Sequence, residues 1–195
     1  MDRADGGGRK RIVGLAKWDF PRSPYSTATG PSINAKIERL TTTWKTPLAS
    51  RRCAVALDGY YEWTGPREAR QPHYLHSDGL LMAAGLWAQV EGEKRPRFVI
   101  VTREARDASG EVHDRMPAFL TPDLLEEWLD PRSFTPPNRQ KAVVDEHLQR
   151  KESALQGLYS SSEEIASTIT EFLVSPKVNN VKKAEPSDAT LIEPI

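Results

Sequence analysis

The sequence has few of the residues that secretion, membrane insertion or metal binding require. It contains one cysteine, Cys53, so no disulfide bond can form within the chain. The spacing of Cys53 and the four histidines matches no zinc-binding pattern. The longest weakly polar run, residues 80–90, is far shorter than the roughly 20 apolar residues of a membrane helix. Residues 1–11 contain no apolar segment of a signal peptide.

These absences predict no metal, no cofactor and no contact with a membrane. They predict a location in the bacterial cytoplasm, near the nucleoid, or in the nucleus if the source is eukaryotic.

The net charge of the chain is zero, but the charges are unevenly distributed along it. Residues 9–52 contain ten lysines and arginines and two acidic residues, a balance of +8, with Trp18, Tyr25 and Trp44 among them. A groove for single-stranded nucleic acid requires this combination, because phosphates attract cations and unstacked bases stack on aromatic rings. A solvated basic face is the alternative interpretation.

The rest of the composition is typical of a globular protein, with 38% hydrophobic and 28% charged residues. The length favours one domain, which we expect to span residues 11–195 after a flexible, glycine-rich tail at residues 1–10. Apolar runs of strand character follow one another from residue 53 to residue 102. Asp78-Gly79 and residues 91–94 have the composition of hairpin turns. The sequence therefore predicts an antiparallel meander.

The clearest helix outside this meander is predicted at residues 121–130. Thr121 is suited to the N-cap, Pro122 to the first helical position, and Pro131 stops the helix. The other predicted elements are a strand at 11–18, a loop at 19–31, a strand or helix at 32–40, a helical turn at 102–109, a helix at 141–159 and a strand at 172–178.

Glu62 lies between Tyr61 and Trp63 in a predicted strand that is otherwise apolar or aromatic. A carboxyl group that aromatic side chains partly remove from water has a raised pKa and can act as a general acid or base near neutral pH. The alternative is an ordinary outward-facing residue, because a period of two puts Glu62 and Tyr60 on one face of the strand and Tyr61 and Trp63 on the other.

Three other residues have possible chemical roles. His113 lies in a polar loop after the meander, where an imidazole can transfer protons at physiological pH, or is simply exposed to solvent. Asn34 is polar among apolar neighbours, as an asparagine in a turn or cap also is. Cys53 begins an apolar strand, a position typical of a small buried side chain rather than a nucleophile.

Five segments of the chain, in order and spacing, resemble the SRAP family, the SOS-response-associated peptidases. They are INAKIE (33–38), RRCAVALDGYYEW (51–63), VIVTREA (99–105), VHDRMP (112–117), and VNNVKK (178–183) with LIEPI (191–195). The resemblance implies an α+β fold built around an antiparallel, barrel-like sheet with peripheral helices. It also implies a monomer that acts on abasic sites in single-stranded DNA, through a covalent thiazolidine cross-link and with peptidase or lyase activity.

The resemblance assigns roles to six residues. The three at catalytic positions are Asn34, which would orient the substrate, Glu62, which would act as acid and base, and His113, which would transfer a proton. The three at DNA-binding positions are Trp18, Lys36 and Arg115. Lys36 replaces an arginine that contacts phosphate in the family, so the charge is kept but the bidentate geometry is lost.

The beginning of the sequence departs from the family pattern. Family members start with Met-Cys-Gly-Arg, and the amine and thiol of that cysteine close the thiazolidine ring. This sequence starts MDRADGGG, and Cys53 cannot replace the nucleophile because an internal residue has no free α-amine. We therefore expect a site with the proton-transfer residues but without the nucleophile, and an open sheet edge where N-terminal strands are missing.

Three explanations of this departure are open: a mis-assigned start codon or truncated form, which we favour, a paralogue that binds DNA without cross-linking, or a non-functional remnant. A non-catalytic module that binds single-stranded nucleic acid is the alternative function.

Overall fold

The described part of the chain forms a seven-stranded sheet with helices packed against it. The computed structural model describes residues 11–22, 30, 32–131, 141–180 and 183–195. The predicted tail at residues 1–10 and most of the predicted loop at 19–31 lie outside these ranges. The strands are β1 (Lys17–Trp18), β2 (Asn34–Lys36), β3 (Arg52–Thr64), β4 (Gln71–Ala88), β5 (Arg97–Glu104), β6 (Arg115–Pro117) and β7 (Thr170–Leu173). The α-helices are α1 (Lys45–Ser50), α2 (Asp107–Val112), α3 (Pro122–Leu129) and α4 (Lys141–Ala166).

The predicted meander is confirmed as the centre of the sheet. β3 pairs with β4 and β4 with β5, both antiparallel, while β7 is antiparallel to the first half of β4. β5 also pairs with β6, antiparallel, and with β1 and β2, which run parallel to it. The sheet curls into a half-barrel, in agreement with the expected α+β, barrel-like fold. Within the described ranges β3 pairs with β4 alone, so β3 is an open edge.

The predicted hairpin turn at Asp78-Gly79 is wrong. β4 runs without interruption through both residues, and the pairing with β3 shifts there: Leu57 faces Leu81, but Gly59 faces His76. Residues 77–80 therefore lie opposite Asp58 alone, as a large bulge. Asp-Gly suits the bend of a bulge as well as that of a turn, which explains the incorrect prediction. The predicted turn at residues 91–94 does connect β4 to β5.

The other predicted elements are confirmed in type more than in length. The predicted strand at 11–18 is limited to β1, and the ambiguous segment 32–40 contains both β2 and a 3-10 helix, Ile37–Arg39. α2 overlaps only the last three residues of the predicted helical turn, whose first three belong to β5, and α3 matches its prediction to within a residue at each end. α4 extends seven residues beyond its predicted end, and the last strand, β7, ends earlier than predicted because a 3-10 helix begins at Pro176.

The two faces of the sheet are covered by different groups. On one face, α3 and α4 enclose a core that includes Val99, Val101 and Trp128. Arg52 is buried beside this core and donates hydrogen bonds to the carbonyls of Leu48 and Trp128, near the ends of α1 and α3. The opposite face carries a smaller apolar cluster: Leu75, Leu81, Ala83, Ile100, Phe119 and Ile169, with Val55, Leu57 and Tyr60 packed against it. We call this second face the site face, because the predicted site residues prove to lie on it.

The register shift depends on a glycine at position 59. A Cβ atom built on Gly59 would overlap the ring of Tyr74 and lie 2.6 Å from the carbonyl oxygen of Leu75. The latter contact is with backbone, so a rotamer change in one neighbour cannot relieve it.

We predict that Gly59→Ala lowers the free energy of unfolding by about 2 kcal/mol or more, because the strands must separate to accept the methyl group. Urea unfolding followed by circular dichroism measures this. Gly79→Ala is the matched control, since a Cβ there meets nothing within 4 Å. Equal stability of the two variants would contradict the assigned close approach.

Candidate functional site

Strand pairing places three of the predicted site residues on the site face. Trp18 is paired with Phe98, and Asn34 with Ile100. Directly paired residues point to the same face of a sheet, and alternate residues of one strand share a face. Ile100 belongs to the site-face cluster, so Trp18, Asn34 and Lys36 lie on the same side.

Glu62 reaches the same face through β3. Tyr60 packs against the site-face cluster, and Glu62 follows it at the next position on that face. The period-two alternation predicted for this strand therefore holds, and Tyr61 and Trp63 point to the other side, where the indole of Trp63 donates a hydrogen bond to Asn179.

α2 brings His113 towards Glu62. The hydroxyl groups of Tyr60 and Ser109 share a hydrogen bond of 2.7 Å, which fastens the helix to β3. The backbone N–H of His113 donates to the carbonyl of Ser109 and so places the histidine directly after the helix. Both His113 and its neighbour Asp114 are close enough to affect the pKa of Glu62.

The carboxyl group of Glu62 is partly buried, and its pKa is raised. Burial raises its pKa above that of an ordinary glutamate; His113 lowers it and Asp114 raises it. Within the described residues, no hydrogen bond is formed with this carboxyl group. It is therefore partly removed from water and still available to a ligand.

The polar neighbours of the His113 ring lie at Nδ1. This nitrogen is 3.0 Å from the backbone N–H of Arg115, which donates to a bare Nδ1, and 3.2 Å from both the carbonyl oxygen of Arg115 and the Asp114 carboxylate, which accept from a protonated one. These contacts are compatible with either tautomer. Because they all lie at Nδ1, Nε2 is the ring nitrogen that a ligand would meet.

Arg115, expected to contact DNA, is already engaged within the protein. Its guanidinium donates to both carboxylate oxygens of Glu38, at 2.8 and 3.1 Å, and to the carbonyl of Thr102, at 2.6 Å. This pair joins β6 to the 3-10 helix that follows β2. The hydrogen bonds from Arg115 are the main cause of the lowered pKa of the Glu38 carboxyl group. The sequence did not predict it, because the two residues are 77 positions apart.

Trp18 and Lys36 form the exposed end of the site face. The Trp18 ring stacks on Phe98, with centroids 6.3 Å apart and planes 10° apart, and its indole N–H donates to the carbonyl of Ile33. Its residue surface is nonetheless 48% exposed. Asn34 and Lys36 are exposed as well, so this end of the face has an aromatic ring, an amide and a cation accessible to solvent.

Cys53 is part of the packing of the sheet. It is paired with Gly85, and burial raises the pKa of its thiol to about 12. A thiol with this pKa carries almost no thiolate near neutral pH. The position agrees with the structural interpretation of this residue.

Sequence reasoning missed four polar residues beside the site: Ser109, Thr64, His73 and Glu171. Thr64 lies two positions from Glu62, so strand periodicity would have identified it. The others reach the site through pairing between distant segments, for which the sequence has no local pattern. Among the residues that the structure describes, His, Cys, Asp and Glu do not group as a metal site would require. No helix in those same ranges is long and apolar enough to cross a membrane.

Comparisons with known proteins show what the whole chain is similar to. A family model described as SOS response associated peptidase (SRAP) matches residues 4–181. The chain is 32% identical over 120 residues to the abasic site processing protein YoaM of Bacillus subtilis, covering 57% of this chain and 53% of that protein. It is 31% identical over 161 residues to YoqW of the same organism, covering 78% and 66%.

A solved structure of a phage-related protein from Bordetella bronchiseptica superposes with a TM-score of 0.59 and 29% identity, covering 82% of this chain and 70% of that one. The match with YoaM, in contrast, spans about half the length of that relative.

The charges around Glu62 predict opposite shifts in two variants. His113→Ala removes the group that lowers the pKa of Glu62, so the pKa should rise further; Asp114→Asn removes a group that raises it, so the pKa should fall. Carbon-13 NMR titration of the glutamate carboxyl groups, with Glu62→Gln to assign the resonance, measures both. A shift of the same sign in both variants would contradict the arrangement.

The burial of Cys53 predicts slow alkylation. At pH 8 the native thiol should react with iodoacetamide at least about tenfold more slowly than in 6 M guanidinium chloride, because thiolate is the reactive form. Mass spectrometry of timed samples measures the difference. Equal rates in the two conditions would show that the thiol is not protected.

Proposed function

The chain belongs to the SOS response associated peptidase (SRAP) family, and on this premise we propose that it binds single-stranded DNA at abasic sites and transfers protons to the opened sugar. The observation that supports this most is the site face itself, which carries a half-buried carboxyl group with an imidazole close enough to affect its pKa and, further along the face beside β5, an exposed indole. An abasic site presents an aldehyde in equilibrium with a closed sugar, so its chemistry requires proton transfer at oxygen.

The residues divide this work according to their surroundings. Glu62, with its raised pKa, donates and accepts the proton as the sugar opens and closes. His113 presents Nε2 on the same face and transfers a proton to or from the sugar oxygen. Asn34 orients the sugar, since its amide is exposed on the same face and can both donate and accept.

Recognition of the strand falls to the exposed end of the site face. Trp18 offers a base-stacking surface beside Phe98, and Lys36 offers a cation to a phosphate. Arg115 contributes by holding Glu38 and the end of β2, which carries Lys36. Cys53 takes no part, because its nitrogen is in a peptide bond within β3 and its thiol is buried.

A direct test compares three fluorescent single-stranded oligonucleotides by anisotropy: an intact strand, a strand with a tetrahydrofuran in place of one nucleotide, and a strand with a natural abasic site. We expect tighter binding to both strands that lack a base. Trp18→Ala should weaken binding about tenfold, the usual effect of losing a stacking partner, whereas Trp63→Ala, on the opposite face, should not. Equal affinity for intact and abasic strands would contradict the proposal.

Cleavage of the natural site is followed separately, by denaturing electrophoresis. A base that removes the proton next to the sugar aldehyde lets the 3′ phosphate leave, so Glu62→Gln and His113→Ala should each slow strand cleavage at least about a hundredfold, as expected for a lost acid or base, while leaving affinity for the tetrahydrofuran strand within about twofold. Lys94→Ala, in the turn between β4 and β5, serves as the control. If neither active-site variant changes a reaction that the wild type performs, the proton-transfer roles are wrong. If the wild type binds abasic strands preferentially without reacting, the chain is a binding module.

A further inference from the structure

Three side chains form a hydrogen-bonded chain beside Glu62. Nδ1 of His73 lies 2.8 Å from a carboxylate oxygen of Glu171, and Nε2 lies 2.8 Å from the hydroxyl of Thr64. The three residues come from three neighbouring strands, β3, β4 and β7. We call this set the Thr64–His73–Glu171 relay.

The protons of the relay can be assigned from its partners. The Glu171 carboxylate can only accept, so Nδ1 of His73 carries a proton. In the neutral ring Nε2 then accepts from the Thr64 hydroxyl, and in the protonated ring it donates to that hydroxyl. The His73 side chain is 11% exposed, and both of its nitrogens have partners in either state. A histidine held at both ends in this way has one orientation.

The relay is adjacent to Glu62 in two directions. His73 is the direct partner of Glu62 across the β3–β4 ladder, which places their Cβ atoms about 5 Å apart on one face. Thr64 lies two residues further along β3, on the same face. Tyr60, two residues before Glu62, is bonded to Ser109 at 2.7 Å. The carboxyl group of Glu62 therefore lies between the hydroxyl groups of Tyr60 and Thr64, each of which is hydrogen-bonded to another side chain.

We propose that Thr64, His73 and Glu171 are positioning residues that hold Glu62 for proton transfer, an inference that rests on the function proposed above. None of the three needs to touch the ligand. They fix the end of β3 to β4 and β7 at the register that keeps Glu62 beside His113, and they exclude water from one side of the carboxyl group. Tyr60 and Ser109 do the same from the other side.

The competing interpretation is that these three side chains only hold β3, β4 and β7 together. β7 already pairs with β4 through backbone bonds, and a second histidine and threonine meet on the same two strands: Thr170 and Nε2 of His76, 3.2 Å apart. His76 stacks on Tyr74, on the face away from Glu62. This second pair provides a control, because it also joins a threonine hydroxyl to Nε2 of a histidine on β4 but lies away from Glu62.

The test measures Glu62 itself in the full chain without DNA. The titratable groups around it are His73 on β4, Tyr60 on β3, Glu171 on β7 through the relay, and His113 and Asp114 after α2. Thr64→Val removes the hydroxyl at constant shape. We expect the pKa of Glu62 to fall towards the ordinary range, because water enters as the strand end loosens. Thr64→Ser should restore it, and Thr170→Val should leave it unchanged.

His73→Gln and a kinetic measurement complete the experiment. Nitrogen-15 NMR of wild-type His73 should show Nδ1–H in the neutral ring, and His73→Gln should shift Glu62 in the direction of Thr64→Val. Thr64→Val should also slow reaction with natural abasic DNA about tenfold or more, the effect of a small misplacement. Titration of Glu62 that is unchanged in both Thr64→Val and His73→Gln would overturn the relay. A wild type that does not distinguish abasic from intact strands contradicts the proposed function instead, and the titration is independent of that result.

Discussion

The register shift between β3 and β4 is the constraint on which the site depends. Before the shift, Val55 and Leu57 point to the site face; after it, Tyr60 does. The odd-numbered residues of β3 thus give way to the even-numbered ones at Asp58. If the alternation of β3 continued past Asp58 without this break, Tyr61 and Trp63 would point to the site face and Glu62 would point away from it. The bulge in β4 and the glycine at position 59 therefore determine that Glu62, and not Tyr61 or Trp63, lies on the site face.

The partly buried carboxyl group of Glu62 lowers stability near neutral pH, because its raised pKa means that the fold disfavours the charged form. Its neighbours along β3 on the same face form hydrogen bonds of their own, Tyr60 with Ser109 and Thr64 with His73, so the strand is fixed without any contribution from Glu62. Within the described residues, no hydrogen bond is formed with the carboxyl group itself, and burial raises its pKa. The bonds that hold this part of β3 and the carboxyl group proposed for chemistry thus belong to alternate residues of one strand.

Local patterns in the sequence predicted those features that local forces control. The alternation of Tyr60 to Trp63 predicted that Glu62 shares a face with Tyr60, although which face this is depends on the break at Asp58, and α3 followed from its cap and prolines. Asp78-Gly79 misled because the same dipeptide serves a turn and a bulge, and the choice between them depends on β7 and β5, which pair with the two halves of β4. The relay and the pair of Arg115 with Glu38 include contacts between residues 77 and 98 positions apart, where local pattern has no information.

The contacts made by the basic residues of the N-terminal quarter affect how the protein would recognise a DNA strand. Much of that charge is used by the fold: Arg11 pairs with Glu126, Arg52 is buried on helix carbonyls, and Lys17 lies 3.5 Å from Asp19. Lys36 is the basic residue of that segment that the sheet pairing places on the site face beside Asn34. A count of charges therefore overstates the electrostatic attraction to DNA. In the proposed function, affinity must come mainly from stacking at Trp18 and from the absence of a base, which lets the sugar reach a carboxyl group that an intact nucleotide would not approach.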